Sequence, residues 1–564
     1  MAANLTAVES RGQDSTFVAQ CSLPGLQDRL PLRWIVPSDT PPSPKKAYRS
    51  HYVYLGGWQD LQDATARKHL SPFDLILRLV DFTPLRAVLA HLLGWTSTRG
   101  RVPFDPISIF LLNGWQVTSH WFRAETLRNL CNPMNAEYAR RFGFENGVFP
   151  TEGGLRHWLT ALGQNSTNGE TILVDEEQHI EIAIERLNQL LVQSVLLLVE
   201  NGFLSQEAWE KALICPDGMI HDAASRMRCA SVRETCYQPV SPDTLRPCPA
   251  KEKERRGCNC DTIICASACR YATPRDPEAR FVWYSGSNHS TDNPNQSTNP
   301  AQAKKKQGKG RYGYRSLPIQ LADPLRRFSV VLLDAFQPAN QREENVAAAL
   351  LLQLHANYPN LSVDTVAGDA GFGYERVLQV IYRDLHARRA IDLRADKSDR
   401  DKPYWLIRGY DDKGRPVCPY GYALKANGFD FDRRRHKWIC AHSCRNGATP
   451  AVYIEGTIYP PAECPYLDHP YGQIVNVSER FKNTSSIRLV RDIPVGTRAW
   501  RRLYHRARNA VEGRNATFQA WGLKRLRFYG NPRNKALIFQ ADVWLNLSTM
   551  ARLVLEATAA TSST

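Results

Sequence analysis

The segment "SVDTVAGDAGFGYERV", residues 362–377, constrains this chain most, because it leads an apolar strand into an isolated carboxylate. Val366 and Ala367 predict a buried strand, which reaches Gly368 and ends at Asp369. The segment "ALICPDGMI", residues 212–220, has the same form and ends at Asp217. A single aspartate beside glycine usually caps a turn or a helix. Two of them at the ends of buried strands raise the further question of a shared site.

A third carboxylate, Glu512, lies in a predicted helix that is otherwise rich in arginine. Tyr504, Arg508 and Glu512 are four residues apart and therefore share one helix face. Glu512 could simply pair with Arg508 at the surface, although arginine before glutamate is the weaker order for such a pair. Asp222, in "MIHDAAS", competes with Asp217 as the first carboxylate, and the Asp-Gly setting at a strand end favours Asp217.

Three gathered carboxylates would repel one another and resist burial unless a cation compensates them. Magnesium prefers oxygen ligands, and two such ions can activate a nucleophile and stabilise a leaving oxygen in phosphoryl transfer. The sequence therefore favours a site for Mg²⁺ (or Mn²⁺) formed by Asp217, Asp369 and Glu512.

The chain is strongly basic, with 72 Lys and Arg against 56 Asp and Glu, for a net charge of +16. This surplus fits a polyanionic partner, whether nucleic acid, an anionic membrane or a ribosomal surface. The longest apolar run, residues 187–199, is too short to span a bilayer, which needs about 20 residues. The N-terminal segment lacks the apolar stretch of a secretion signal. We therefore expect a soluble, cytoplasmic protein without a membrane partner.

Most of the 14 cysteines lie in two groups, and a reducing cytoplasm argues against a disulfide framework. Zinc commonly takes four thiolate or imidazole ligands. Burial of the cysteines as small hydrophobic residues explains the groups equally well. The candidate zinc ligands are Cys258, Cys260, Cys265 and Cys269 in one group, and Cys418, Cys440, Cys444 and Cys464 in the other.

Patterning divides the chain into five segments around a predicted α/β core. Residues 71–210 have helical periodicity and could dimerise or grip DNA. The remaining segments are a variable N-terminal arm (1–70), the first part of the core (211–395) with a Cys-rich flexible insertion at about 229–310, a β-rich insertion that zinc could stabilise (396–495), and the C-terminal part of the core (496–555).

The order Asp217, Asp369, Glu512 on strand, strand and helix resembles the DDE transposases of bacterial insertion sequences. "GDAGFGYERV" resembles their second-aspartate motif, and "YHRARNAVEGRNATFQAWGLKRLRFYG" resembles their Tyr–Arg–Glu signature. The resemblance extends over roughly residues 70–555. In these transposases a basic residue often lies seven positions after the glutamate. In this chain that position holds Gln519, and the nearest lysine is Lys524.

This resemblance implies an RNase H-like catalytic core that cleaves transposon ends with magnesium and joins them to target DNA. Asp217, Asp369 and Glu512 would hold the metal ions. The partner would be double-stranded DNA with terminal inverted repeats, bound by a homodimer or larger assembly at the nucleoid. Side chains expected to contact DNA are Tyr504, Arg508, Arg501 and Lys524, together with Arg433, Arg434 and Lys437 beside Trp438, although those three also suit a solvated charge run. Two alternatives are an RNase H-like nuclease without strand transfer and a non-catalytic DNA-binding relative.

Overall fold

The computed structural model of the chain describes residues 26, 28–67, 70–144, 147–166, 171–175, 179–224, 237–241, 244–247, 276, 278–283, 310–323, 328–392, 407–411, 415–433, 435–446, 448–451, 463–478, 493 and 498–562. The described chain is mixed α/β, as the sequence predicts. Within these ranges, none of the helices has the length and apolar character needed to cross a lipid bilayer.

The residues divide into two compact units. Unit 1 comprises residues 1–165, 189–205 and 539–564, and unit 2 comprises residues 166–188 and 206–538. Among the described residues, the helices up to residue 200 are α1 (Trp58–Arg67), α2 (Pro72–Leu79), α3 (Leu85–Leu92), α4 (Pro106–Thr118), α5 (Arg123–Leu130), α6 (Ala136–Phe142), α7 (Glu152–Asn165) and α8 (Asn188–Glu200). The short parallel strands β1 (Leu32–Arg33) and β2 (Val80–Asp81) accompany them.

Unit 1 is built around an aromatic core in which helix α4 is central. The helix begins at Pro106, where the Asp105 side chain accepts a hydrogen bond from the Ile107 amide at 3.1 Å. Phe110 stacks on Trp544 with ring centroids 5.4 Å apart. A Cβ on Gly114 would lie only 2.0 Å from the Trp544 ring, so glycine is required there for the two helices to approach.

Unit 2 contains a five-stranded sheet with the order β12-β11-β5-β14-β15. Strands β5, β11 and β12 pair antiparallel, whereas β14 and β15 run parallel to β5. Their bounds are β5 (Ala212–Pro216), β11 (Ile319–Asp323), β12 (Phe328–Leu333), β14 (Val363–Gly368) and β15 (Arg388–Ile391). Every residue of β5 and β11 is buried, as expected for the middle of a covered sheet.

The three antiparallel strands of this sheet continue through bends into a second sheet with the order β13-β10-β6, and β9 pairs with β10. Its strands are β6 (Met219–Asp222), β9 (Arg280–Trp283), β10 (Gly310–Ser316) and β13 (Phe336–Pro338). Asp217 and Gly218 form the bend between β5 and β6. The first candidate carboxylate therefore lies where the chain passes from one sheet to the other.

The other elements of unit 2 cover these sheets or project from them. The strand pairs are β3 (Thr171–Asp175) with β4 (Ile180–Ala183), β7 (Tyr237–Ser241) with β8 (Thr244–Pro247), and β16 (Gly409–Tyr410) with β17 (Pro416–Val417), and a separate sheet comprises β18 (Lys425–Asp430), β19 (Arg435–Ile439) and β20 (Ile474–Ser478). The helices are α9 (Gln206–Glu210), α10 (Glu343–Leu352), α11 (Leu354–Asn357), α12 (Glu375–Gln379), α13 (Arg498–Ala520) and α14 (Asn531–Ser562), the last of which has residues in both units.

Helix α13 packs across the five-stranded sheet through Ala507 and Val511, and its Phe518 ring lies beside His221 of the second sheet. Arg514 lies on the same buried stripe, and its guanidinium is 3.1 Å from the Asp334 carboxylate. Both side chains are fully buried. Arg514 also contacts the Ser316 hydroxyl at 3.4 Å and lies over the Phe518 ring. This ion pair fixes the position of α13 along the sheet.

Asp334→Ala should lower the free energy of unfolding of unit 2 by about 3–5 kcal/mol, because it leaves the Arg514 charge buried without its carboxylate. Chemical denaturation measures this change. Asp364→Ala is the matched control, since Asp364 pairs with Arg388 at the surface and its loss should cost at most about 1 kcal/mol. Equal losses in the two variants would contradict the importance of the buried pair.

Candidate active site

Asp217 and Asp369 follow the carboxyl ends of two neighbouring parallel strands, β5 and β14. Ile214 pairs with Val366 in the register of these strands. Because the strands run in the same direction, the residues that follow them meet at one edge of the sheet. The two aspartates that the sequence singles out are thus brought together.

The electrostatics of Asp217 reflect this arrangement. Burial, followed by the negative charge of Asp369, raises the pKa of Asp217 to about 7. Arg508 opposes this rise, whereas Glu343 adds to it. The Asn515 amide donates a hydrogen bond to the Asp217 carboxylate at 3.3 Å. The net effect is an excess of negative charge at the site when both aspartates are ionised.

Asp369 also has the capping role that an aspartate beside glycine commonly has. Its side chain accepts a hydrogen bond from the Gly371 amide at 2.7 Å and caps the short 3-10 turn Ala370–Phe372. This contact orients one carboxylate oxygen. It does not neutralise the charge, so capping and cation binding are compatible at this residue.

Helix α13 presents Tyr504 and Arg508 to this edge. Burial lowers the pKa of Arg508, but the negative charges of Asp217 and Asp369 are among the effects that raise it overall. The Tyr504 ring stacks on Trp500 at 4.3 Å, and burial together with Asp392 raises the pKa of the Tyr504 hydroxyl. The shared face predicted for this helix therefore places a cation and a phenol beside the two aspartates.

Glu512 is placed differently from the two aspartates. Its carboxylate lies 3.5 Å from the Arg508 guanidinium, and its side chain is 63% exposed. The surface ion pair considered from the sequence is therefore present. Asn515, almost one turn further along α13, donates a hydrogen bond to Asp217.

Sequence reasoning missed two acidic residues at the site. Glu343, the first residue of α10, lies close to the loops that follow Asp217 and Asp369. A Cβ atom added to Gly218 would lie 2.6 Å from the Glu343 carboxylate, and a Cβ atom added to Gly371 would lie 3.5 Å from it. Arg315 pairs with Glu343 at 2.9 Å. Asp392 follows β15, the third parallel strand. The segment "RRAIDL" carried a strand-then-aspartate signal for Asp392, whereas no local pattern marked Glu343.

Asp222, the alternative first carboxylate, has a different environment. It ends β6, and both of its carboxylate oxygens accept hydrogen bonds from Arg311, at 2.8 and 2.5 Å. Its charge is thus compensated by a two-point contact. This environment favours Asp217 as the member of the site.

The other residues predicted to contact DNA lie on several different elements. Arg501 and Lys524 are exposed on and after α13, and Arg433 is exposed between β18 and β19. The Lys437 Nζ lies 3.7 Å from the Asp430 carboxylate, which offsets part of the positive charge of the lysine. Trp438 packs against the small core of the β18–β20 sheet. Arg434 lies outside the described residues, as do Cys258, Cys260, Cys265 and Cys269.

The donor chemistry at the sheet edge suits a divalent cation. Asp217 and Asp369 provide hard oxygen ligands, and their mutual repulsion would be relieved by a bound positive charge. Within the described part of the chain, no three His, Cys, Asp or Glu side chains are arranged to hold a metal ion. The fit therefore rests on the two aspartates, without Glu512 in place.

No protein-family model matches this chain, and no curated protein matches it significantly in sequence.

In metal-free buffer, Asp217→Asn should flatten the pH dependence of stability. The pKa of Asp217 is about 7 in the folded protein, against an ordinary value of 3.8. Between these two pH values the folded state binds a proton that the unfolded state has lost, so the free energy of unfolding falls as the pH rises from 3.8 to 7. Between pH 5 and pH 8 the free energy of unfolding of the variant should therefore rise by about 1–3 kcal/mol relative to that of the wild type. Urea titrations at the two pH values measure this gain, and parallel profiles would contradict it.

Proposed function

We propose that this chain is a DDE-type DNA transposase, which cleaves transposon ends in a metal-dependent reaction and transfers the freed strands into target DNA. The observation that carries the proposal is the pairing of Asp217 and Asp369 at the ends of adjacent parallel strands, facing Arg508 of helix α13. Two carboxylates beside a cation-bearing helix suit phosphoryl transfer, in which oxygen-bound metal and a basic group share the phosphate charge.

The topology of unit 2 supports an RNase H-like core. Three antiparallel strands are followed by two parallel strands, in the spatial order third, second, first, fourth, fifth. Helix α13 then crosses the sheet after the insertion that contains β16–β20. This arrangement agrees with the fold that the resemblance of the sequence implies.

Each residue of the site would have a defined task. Asp217 and Asp369 would hold the divalent cation, and Asn515 would orient the Asp217 carboxylate. A magnesium ion bound there would polarise the phosphate and activate the attacking hydroxyl. Arg508 would bind a phosphate oxygen of the DNA, and Tyr504, held against Trp500, would position the strand beside it.

Glu512 would complete the metal site only after DNA has bound. In the free protein its carboxylate pairs with Arg508. A DNA phosphate competes for the same guanidinium, and the Glu512 side chain would then be released to turn towards the aspartates. This order explains how a third carboxylate can be required although the structure leaves it exposed.

The partner would be double-stranded DNA. The net charge of +16 favours a polyanion, and the exposed residues Arg501, Lys524 and Arg433 would contact phosphates. Such contacts predict binding that weakens steeply as salt is raised. Joining two transposon ends would require at least two copies of the chain on the DNA.

Asp369→Asn should reduce cleavage of DNA that carries the sequences flanking this gene by more than about a hundredfold, while DNA binding is retained, because the variant removes a metal ligand. Gel assays with labelled DNA and Mg²⁺ measure both properties. Asp364→Asn, the same exchange on the same strand at an exposed ion pair, is the control and should remain active.

The reaction products distinguish the proposal from its alternatives. Joined strands require a transposase, whereas nicks without joining would indicate an RNase H-like nuclease. Salt-sensitive binding by wild type and Asp369→Asn, with no cleavage by either protein, would indicate a non-catalytic DNA-binding protein. An active Asp369→Asn variant would contradict the assignment of the site.

A further inference from the structure

Four cysteines of the segment that contains β16–β20 come from three neighbouring turns. Cys418 directly follows β17, and Cys440 directly follows β19. Cys444 lies one turn beyond Cys440, and Cys464 begins the turn that precedes β20. The Tyr420 hydroxyl donates to the Glu463 carbonyl at 3.1 Å, which joins the Cys418 turn to the Cys464 turn.

The Cys418 turn directs a backbone N–H group at the sulfur. The Cys418 amide donates to the Tyr422 carbonyl at 2.8 Å, and the Tyr422 amide donates to the Cys418 Sγ at 3.4 Å. Amide donors stabilise negative charge on sulfur. A turn of this kind therefore suits a cysteine that serves as a thiolate ligand.

The turn between Cys440 and Cys444 has an unusual backbone. Ala441 and His442 have φ angles of 47° and 50°, in the left-handed region that non-glycine residues seldom adopt. Such a conformation persists when its surroundings fix it. A Cβ on Gly472 would lie 2.8 Å from the Cys440 Cβ, so this turn packs tightly against the loop that leads into β20.

The four thiols belong to one neighbourhood. Cys418 and Cys440 share a small buried cluster with Ile407, Leu424 and Val475. Burial raises the pKa of the Cys464 thiol, and Cys440 and Cys444 contribute to the rise. The pKa of Cys418 rises through burial and, to a smaller extent, through Cys440 and Cys464.

The described residues of this segment form only a small core. Its sheet comprises three short antiparallel strands over a core of five buried residues. A core of this size rarely holds a structure without a disulfide or a metal. All four cysteines have free thiols, so all four are available as metal ligands.

We propose that Cys418, Cys440, Cys444 and Cys464 together bind one structural zinc ion. Zinc favours four thiolates in tetrahedral geometry, with cysteine pairs on tight turns as the usual source. Among the residues that the structure describes, no three such side chains surround a common centre, so zinc binding would pull the four sulfurs inward. Each thiol would lose its proton to solvent as its zinc–sulfur bond forms.

The test is the zinc content of the purified full-length chain, measured by mass spectrometry. Cys440→Ser/Cys444→Ser should lose about one zinc per chain relative to the wild type. Cys131→Ser, at an exposed cysteine elsewhere, should keep the wild-type content. Comparing variants isolates this site from any zinc held by other cysteines. An unchanged zinc content in the double variant would overturn the proposal.

A second variant covers the possibility that the double variant does not fold. Cys444→His retains a zinc ligand and should keep the metal, whereas Cys444→Ala should lose it or bind it more weakly. Cobalt reconstitution gives an independent readout, because tetrahedral cobalt–thiolate bonds absorb visible light. Equal cobalt spectra from Cys444→Ala and the wild type would also refute the site. These measurements involve no DNA, so their outcome is independent of the transposase proposal.

Discussion

The buried ion pair between Arg514 and Asp334 is the interaction on which the candidate site depends. Two fully buried opposite charges, 3.1 Å apart, tolerate little displacement, because each would otherwise be left uncompensated in the core. They anchor helix α13 to the segment that follows β12. The same helix carries Arg508 and Asn515, so the geometry of these two side chains towards Asp217 follows from an interaction that lies outside the site.

The sheet supplies the other half of the site. Parallel pairing of β5 with β14 brings Asp217 and Asp369 to one edge, and the parallel strand β15 adds Asp392 at the same edge. Burial, and then the nearby charge of Asp369, raise the pKa of Asp217, so this edge of the sheet disfavours the ionised form of its own carboxylates. A bound cation would relieve this repulsion. On the proposed function, the fold would thus hold a metal site at the cost of stability in the metal-free protein.

The sequence predicted those parts of the site that local patterns encode. Apolar runs that end in Asp217 and Asp369 located two strand ends, and four-residue spacing placed Tyr504, Arg508 and Glu512 on one helix face. Glu343 could not be found in this way, since it reaches the site through the tertiary packing of α10 against Gly218 and Gly371. The pairing of Arg514 with Asp334 could not be predicted from local patterns either, because it joins residues 180 positions apart. Sequence spacing also favoured Glu512 as a metal ligand over a surface ion pair, whereas in the structure its carboxylate pairs with Arg508.

The most direct test of the central claim is Mn²⁺ binding, followed by electron paramagnetic resonance of the free ion in the absence of DNA. The account predicts that Asp217→Asn and Asp369→Asn each weaken binding more than about tenfold, because each removes an oxygen ligand. Asp222→Asn, at a carboxylate paired with Arg311, should bind as the wild type does. Equal affinity in all four proteins would contradict a metal site formed by Asp217 and Asp369.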